Sequence, residues 1–166
     1  MSDVDTAAGA TSTDTPRWLD DDEQRAWRAL VAVLLRLPVA LERQLQAEAG
    51  LTHFEYFVLA LLSEADDRTL RLSHLAAQAD ASLSRLSHVV TRLESRGLVR
   101  REPCPDERRA TNAVLTADGW ALVVATAPGH VAEVRRRVFD TLTPNEVTQL
   151  ERIADRIAAG VDDRSV

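Results

Sequence analysis

Residues 83–96 hold the densest candidate chemistry in the chain. On a helical wheel Leu83, Leu86, Val90 and Leu93 gather on one side, and Ser84, Arg85, His88, Thr91, Arg92 and Ser95 on the other. The polar side carries hydroxyls, one imidazole and two guanidiniums, but no carboxylate. A merely solvated face on an acidic protein would mix its signs. Hydroxyls and guanidiniums reach base edges in a major groove, and guanidiniums also pair with phosphates. The pattern therefore points to double-stranded DNA as the partner. Ser84, Arg85 and His88 are the candidates for reading bases, and Ser82, Thr91 and Arg92 for holding phosphates. Ser73, in a preceding short helix, completes this DNA-facing set.

More arginine follows. Leu98 to Glu102 and Thr111 to Leu115 read as strands, and the stretch between them holds two prolines and four charged residues. It is expected to be a protruding loop. Arg100 and Arg101 stand at its base, Arg108 and Arg109 near its tip. Arginine suits a narrow minor groove, whose negative potential is enhanced. Helix, turn, helix, strand, charged loop and strand is the winged-helix order.

The elements that must position these groups are legible from end to end. Residues 1–18 are expected to form a disordered acidic leader. From Asp20, Trp27, Leu30, Leu34, Leu37, Leu41 and Leu45 make one helical stripe, with a kink expected at Pro38. Thr52-His53-Phe54-Glu55 has the form of a capping box opening a second helix, with Leu51 and Tyr56 at staple spacing. Thr69 to Leu72 is a candidate strand. Ser73 is expected to cap a third helix through Gln78, Asp80 to Ser82 to form the turn, and Gly97 to stop the fourth helix. Thr116 can cap a fifth helix that Pro128-Gly129 interrupts or kinks. Thr143-Pro144-Asn145-Glu146 is a second capping box, before a last stripe of Val147, Leu150, Ile153, Ala154 and Ile157. The fold class is mainly α with a small β wing. Residues 51–116 form the winged helix-turn-helix region, flanked by helical regions over 19–50 and 117–160.

A net charge of −6 looks unsuited to DNA, but its distribution answers the objection. Residues 1–24 contain Asp3, Asp5, Asp14, Asp20, Asp21, Asp22 and Glu23 against Arg17 alone. Residues 68–109 contain nine arginines and five acids. The field of the acidic end fades within about 10 Å at ordinary salt, so the basic stretch acts locally. All 20 basic residues are arginine. The longest apolar runs are too short to span a bilayer. The single cysteine excludes an internal disulfide framework and suits a reducing cytoplasm, where no secretory signal would send the chain elsewhere.

At this point the sequence resembles the multiple-antibiotic-resistance regulator (MarR) family, over about residues 25–158. The likeness rests on Leu51-Thr52, Ser84-Arg85-Leu86 and Val90-Thr91-Arg92-Leu93-Glu94. It continues through Arg96-Gly97-Leu98-Val99-Arg100-Arg101, Leu115-Thr116-Ala117-Asp118-Gly119 and Leu142-Thr143-Pro144-Asn145-Glu146. The resemblance implies a transcriptional regulator, not an enzyme. It implies a homodimer joined by the first, fifth and sixth helices, which makes 19–50 with 117–160 a helical dimerisation region, together with a palindromic DNA site and, often, release by a small aromatic ligand. The family's wing carries Asp-x-Arg. Here both Asp106-x-Arg108 and Glu107-x-Arg109 offer the pattern, leaving open which arginine enters the minor groove. The resemblance places a ligand pocket near Trp27, His53, Phe54, Tyr56, Phe57 and Trp120, although core packing explains each of these residues singly.

Two other readings compete with a DNA-binding repressor. One is a winged-helix module that binds protein only, which has no need of an acid-free helix face. The other is a regulator that senses oxidants through Cys104, expected as an exposed thiol between two prolines. His53, His74, His88 and His130 lack metal-ligand spacing, so no metal and no cofactor are expected.

Overall fold

The computed structural model describes residues 16–105 and 107–162, with the side chains of 107–109 and 162 outside that description. The expected leader therefore falls, up to residue 15, outside the described residues, as do Asp106 and the side chains of Arg108 and Arg109. In order come α1 (Asp21–Ala49), α2 (His53–Glu64), a 3-10 turn (Asp66–Arg68), β1 (Thr69–Arg71), α3 (Leu72–Gln78) and α4 (Leu83–Ser95). Then follow β2 (Val99–Cys104), β3 (Glu107–Leu115), α5 (Ala117–Arg137), a second 3-10 turn (Phe139–Thr141) and α6 (Pro144–Asp162). The chain divides into two compact units, Met1–Leu35 and Arg36–Val166. No helix among the described residues is long and apolar enough to cross a membrane.

In the first unit, Asp20 and Glu23 form a reciprocal cap. The Glu23 N–H donates to Asp20 Oδ1 at 2.8 Å, and the Asp20 N–H donates to Glu23 Oε2 at 3.0 Å. The acidic run thus starts the helix by hydrogen bonding as well as by favourable interaction with its dipole. Trp18, Leu19, Trp27, Val33, Leu34 and Leu35 of this unit are exposed.

The second unit holds the core. Leu45, Leu51, Val58, Leu59, Leu62, Leu75, Leu86, Val90, Leu93 and Val99 are fully buried. They come from the end of α1, the turn that follows it, α2 to α4 and β2, so the helix-turn-helix is built around one apolar cluster. Local chemistry sets the element ends. Thr52 accepts from the Glu55 N–H at 3.1 Å while Glu55 Oε2 accepts from the Thr52 N–H at 2.9 Å, the expected capping box. After α4, Gly97 adopts φ +72, and the Gly97 and Leu98 N–H groups donate back to Glu94 and Leu93 carbonyls. This is a Schellman end, and the left-handed step favours glycine.

Thr116 ties this end to α5. Its hydroxyl donates to the Gly97 carbonyl at 2.7 Å and accepts from the Gly119 N–H at 3.0 Å. Gly119 packs so closely that a Cβ there would stand 2.1 Å from the Leu98 carbonyl oxygen.

Several expectations need correction. Helix α5 runs on through Pro128-Gly129, so the interruption offered as one alternative there does not occur, and α1 spans Pro38 as a single helix. Ser73 does not cap α3: the helix begins at Leu72, its N-cap is Arg71, and no side chain caps it. Leu83, expected to pack inward, is 53 % exposed, because the first residue of α4 projects beyond the core that Leu86 enters.

The wing also differs. The sheet has strand order β1-β3-β2, all antiparallel. Strands β2 and β3 keep pairing through Pro103 with Thr111 and Cys104 with Glu107, where the expected loop should lie, with a register shift between Pro103 and Cys104. Pro103 is tolerated because β2 is an edge strand of this sheet. The longer hairpin takes Cys104 inward: it is 8 % exposed, contrary to expectation, with an Arg71 Nη2 3.7 Å from its Sγ.

Candidate nucleic-acid interface

Helix α4 starts on Ser82, whose hydroxyl accepts from the Arg85 N–H at 3.2 Å. Leu86, Val89, Val90 and Leu93 are buried, which fixes the rotation of the helix. Ser84, Arg85, His88, Thr91, Arg92 and Ser95 are all exposed, as the wheel requires. The helix does contain one acid, Glu94, but it is drawn into an ion pair with Arg101 of β2. The exposed face itself carries two arginines and no carboxylate.

Two exposed arginines of α4 are held by consecutive residues of α2. The Arg85 guanidinium lies over the Phe54 ring, 4.4 Å from its centroid. Arg92 Nε donates to Glu55 Oε1 at 2.9 Å. Burial pushes the Glu55 carboxyl up. The Thr52 N–H, the Arg92 guanidinium and the Thr52 hydroxyl outweigh that effect and hold it below the usual carboxylate range. Glu42, Thr52, Phe54, Ser82, Ser84, Arg85, His88, Val89 and Arg92 line an open cleft of about 550 Å³ at the end of α1, α2 and α4.

Arg101 serves a different purpose from the one its position suggested. Its Nη2 donates to the Ser87 carbonyl at 2.9 Å and to Thr91 Oγ1 at 3.0 Å, and its Nη1 to Glu94 Oε2. The Arg101 N–H donates to Glu94 Oε1 at 3.1 Å. With its side chain 25 % exposed, this guanidinium is spent on clamping β2 to α4. Thr91 is drawn in too, since its hydroxyl also donates to the Ser87 carbonyl. Arg100 remains half-exposed beside Glu102. Arg96, which the sequence did not single out, donates to the Ala49 and Gly50 carbonyls and so caps the end of α1. Its place in the sequence, at the end of α4, gives no sign of that partner. The backbone of Arg108 and Arg109 lies in β3. The choice between the two acid-x-Arg registers falls on side chains outside the described residues.

The expected pocket residues go to different partners. Tyr56 is buried against His130, with ring centroids 4.6 Å apart, and His53 lies 6.0 Å from the same ring. Phe54 meets Arg85, whereas Trp120 lies under the Arg68 guanidinium at 4.0 Å. Phe57 is 40 % exposed on α2, and Trp27 is exposed in the first unit. The His130 tautomer follows from its neighbours. Gln44 Nε2 donates to Glu48 Oε2 at 2.7 Å, so Gln44 Oε1 faces His130 Nδ1 at 3.2 Å and Nδ1 must be the donor. Burial pushes both imidazoles below their ordinary value. Glu42 opposes this at His53; at His130 the nearby His53 reinforces it and Glu48 opposes it.

The MarR family model matches residues 51–111, the stretch from the start of α2 into β3. Sco3205 of Streptomyces coelicolor, a MarR family transcriptional regulator solved in complex with DNA, is 44 % identical, with a TM-score of 0.88. That alignment covers 92 % of this chain and 96 % of Sco3205. The chain belongs to the MarR family. It is a transcriptional regulator and not an enzyme. AbsC, a second MarR family regulator from Streptomyces coelicolor, is also 44 % identical, with a TM-score of 0.85 over 88 % of this chain and 98 % of AbsC. MhqR, a regulator from Bacillus subtilis (strain 168), is 29 % identical over 65 % of this chain and 72 % of its own length. In MarR family terms α3 and α4 are the helix-turn-helix and β2–β3 the wing.

Proposed function

We propose that this MarR family protein is a cytoplasmic homodimeric repressor that binds a palindromic operator through α4. The observation that carries this reading is the exposed, acid-free face of Ser84, Arg85, His88, Thr91, Arg92 and Ser95, with Glu94 of the same helix paired to Arg101. Ser84, Arg85 and His88 enter the major groove. Ser82 and Arg92 meet phosphates, with Arg100 and the hairpin arginines Arg108 and Arg109 along the backbone and minor groove. Arg101 leaves the contact set and acts as the clamp. Sco3205, solved with DNA, supports the partner class.

Unpartnered apolar surface supports the dimer. Val124 and Val131 of α5 and Leu150, Ile153, Ile157 and Val161 of α6 are all exposed. So large a set of exposed side chains marks a protein interface on a soluble chain. Two copies of α4 then fall in successive major grooves, with half-sites about 10 bp apart. A small aromatic effector would find its anchor at His53, Tyr56 and His130. The experiment is selection of bound duplexes from random DNA, with footprinting and mass measurement of the complex. The reading expects a two-fold symmetric site and two chains per duplex. Recovery of no preferred sequence, or of one chain per asymmetric site, contradicts it.

A further inference from the structure

Phe54 was expected to line a ligand pocket, yet its ring is half-buried against the core cluster and has the Arg85 guanidinium over it, 4.4 Å from the centroid. We infer that Phe54 is a positioning residue for DNA readout: it fixes the direction of the Arg85 guanidinium and so sets sequence discrimination without touching a base. This rests on the proposed role of Arg85 as a base reader.

Three observations converge on it. First, Arg85 sits in the first turn of α4, and its backbone N–H is fixed by Ser82. Only its long side chain is left free to wander. A guanidinium reads guanine through a planar fork, so its orientation decides whether two hydrogen bonds or one can form. Second, the ring offers the one kind of surface that holds a guanidinium without consuming its donors. A carboxylate would occupy the N–H groups needed for the base, whereas the negative face of an aromatic ring leaves them in its plane and available. Third, the neighbouring position shows the contrast. Glu55 takes Arg92 by a direct hydrogen bond, which consumes Nε. Consecutive residues of α2 thus treat two arginines seven positions apart in different ways. The phosphate-type arginine is tied by charge, and the base-type arginine rests over a ring.

The test compares binding to the duplex that wild-type protein selects from random DNA with binding to a shuffled duplex of the same composition. Phe54→Leu keeps an apolar side chain but removes the ring. It is expected to lower the ratio of the two affinities by roughly two- to fivefold, the range of an exposed cation–π contact. The salt dependence should stay unchanged, because no phosphate contact is lost. Phe54→Trp should restore the ratio, since an indole face holds a cation better still. In an Arg85→Ala background Phe54→Leu should have no further effect. The inference is overturned if Phe54→Leu weakens both duplexes equally, if tryptophan fails to rescue, or if the loss persists without Arg85. Should Arg85→Ala itself leave the ratio unchanged, the base-reading role of Arg85 fails, and this inference with it. A ratio lost on Arg85→Ala but kept on Phe54→Leu overturns the positioning role alone.

Discussion

Replacing Arg101 separates its two conceivable roles, because a clamp and a phosphate contact fail in different assays. In the structure Arg101→Ala removes hydrogen bonds from Nη1 to Glu94 and from Nη2 to the Ser87 carbonyl and Thr91 Oγ1. Hydrogen bonds to charged groups contribute about 1.5–3 kcal/mol each when well shielded. Arg101 and Glu94 are 25 % and 38 % exposed, so solvent screening places this pair toward the low end of that range. A total loss of about 2–4 kcal/mol follows, and at the usual entropy of unfolding for a chain of this size that lowers Tm by roughly 5–15 °C. Arg101→Lys should recover less than half, since an ammonium can reach Glu94 but cannot fork to Ser87 and Thr91 as well. The assay is thermal unfolding followed by circular dichroism, beside DNA titrations at several salt concentrations on protein held well below its Tm. An unchanged Tm with a shallower salt slope would mean that Arg101 meets phosphate, and the clamp would be refuted.

Other perturbations have equally definite outcomes. Glu55→Gln keeps the size of the side chain and can still accept from the Thr52 N–H, but removes the charge that pairs with Arg92; it should cost about 1–2 kcal/mol in urea unfolding, and no measurable change would show the Arg92 pair to be unimportant. Gly119→Ala sets a methyl against the Leu98 carbonyl oxygen, 2.1 Å from the ideal Cβ position; it should lower Tm by more than Glu55→Gln, and a stable variant would contradict the tight crossing. Stability should also fall with acid because of His53 and His130. Burial lowers both imidazoles, so between their ordinary value near pH 6.5 and the lower folded values the unfolded chain binds more protons. Their contribution is complete above about pH 6.5 and is lost as pH falls from there through the folded values. His130→Gln should flatten the slope of unfolding free energy against pH in that window, and an unaltered slope would remove His130 as its source. Cys104 should react with a thiol reagent only slowly in folded protein, its side chain being 8 % exposed; reaction as fast as in urea would contradict its burial.

The features legible in the sequence are those written in local chemistry. The capping box at Thr52, the cap at Thr116 and the glycine stop at Gly97 each need only residues within one turn, and each stands where expected. The inward stripe of α4 was legible for the same reason, apart from Leu83 at its first position. What the sequence hid lies in partners distant along the chain. Arg92 meets Glu55 across 37 residues, and Arg96 caps α1 across 46. Composition presents both simply as basic residues near a DNA-facing helix. Proline-rich composition also misled at the wing, because Pro103 breaks a central strand but not the edge strand that β2 turns out to be. Ser73 read as a cap because its type is right, although the chain enters α3 directly from β1 at Arg71.

The central claim is that the acid-free face of α4 reads DNA sequence. Its most direct test is titration of the full-length protein, at fixed salt, against its own selected duplex and a shuffled one. Binding to the selected duplex should be at least about a thousandfold tighter, and Arg85→Ala should reduce that ratio by roughly tenfold or more while Tm stays unchanged. Equal affinity for both duplexes, or a ratio that survives Arg85→Ala intact, would contradict the claim.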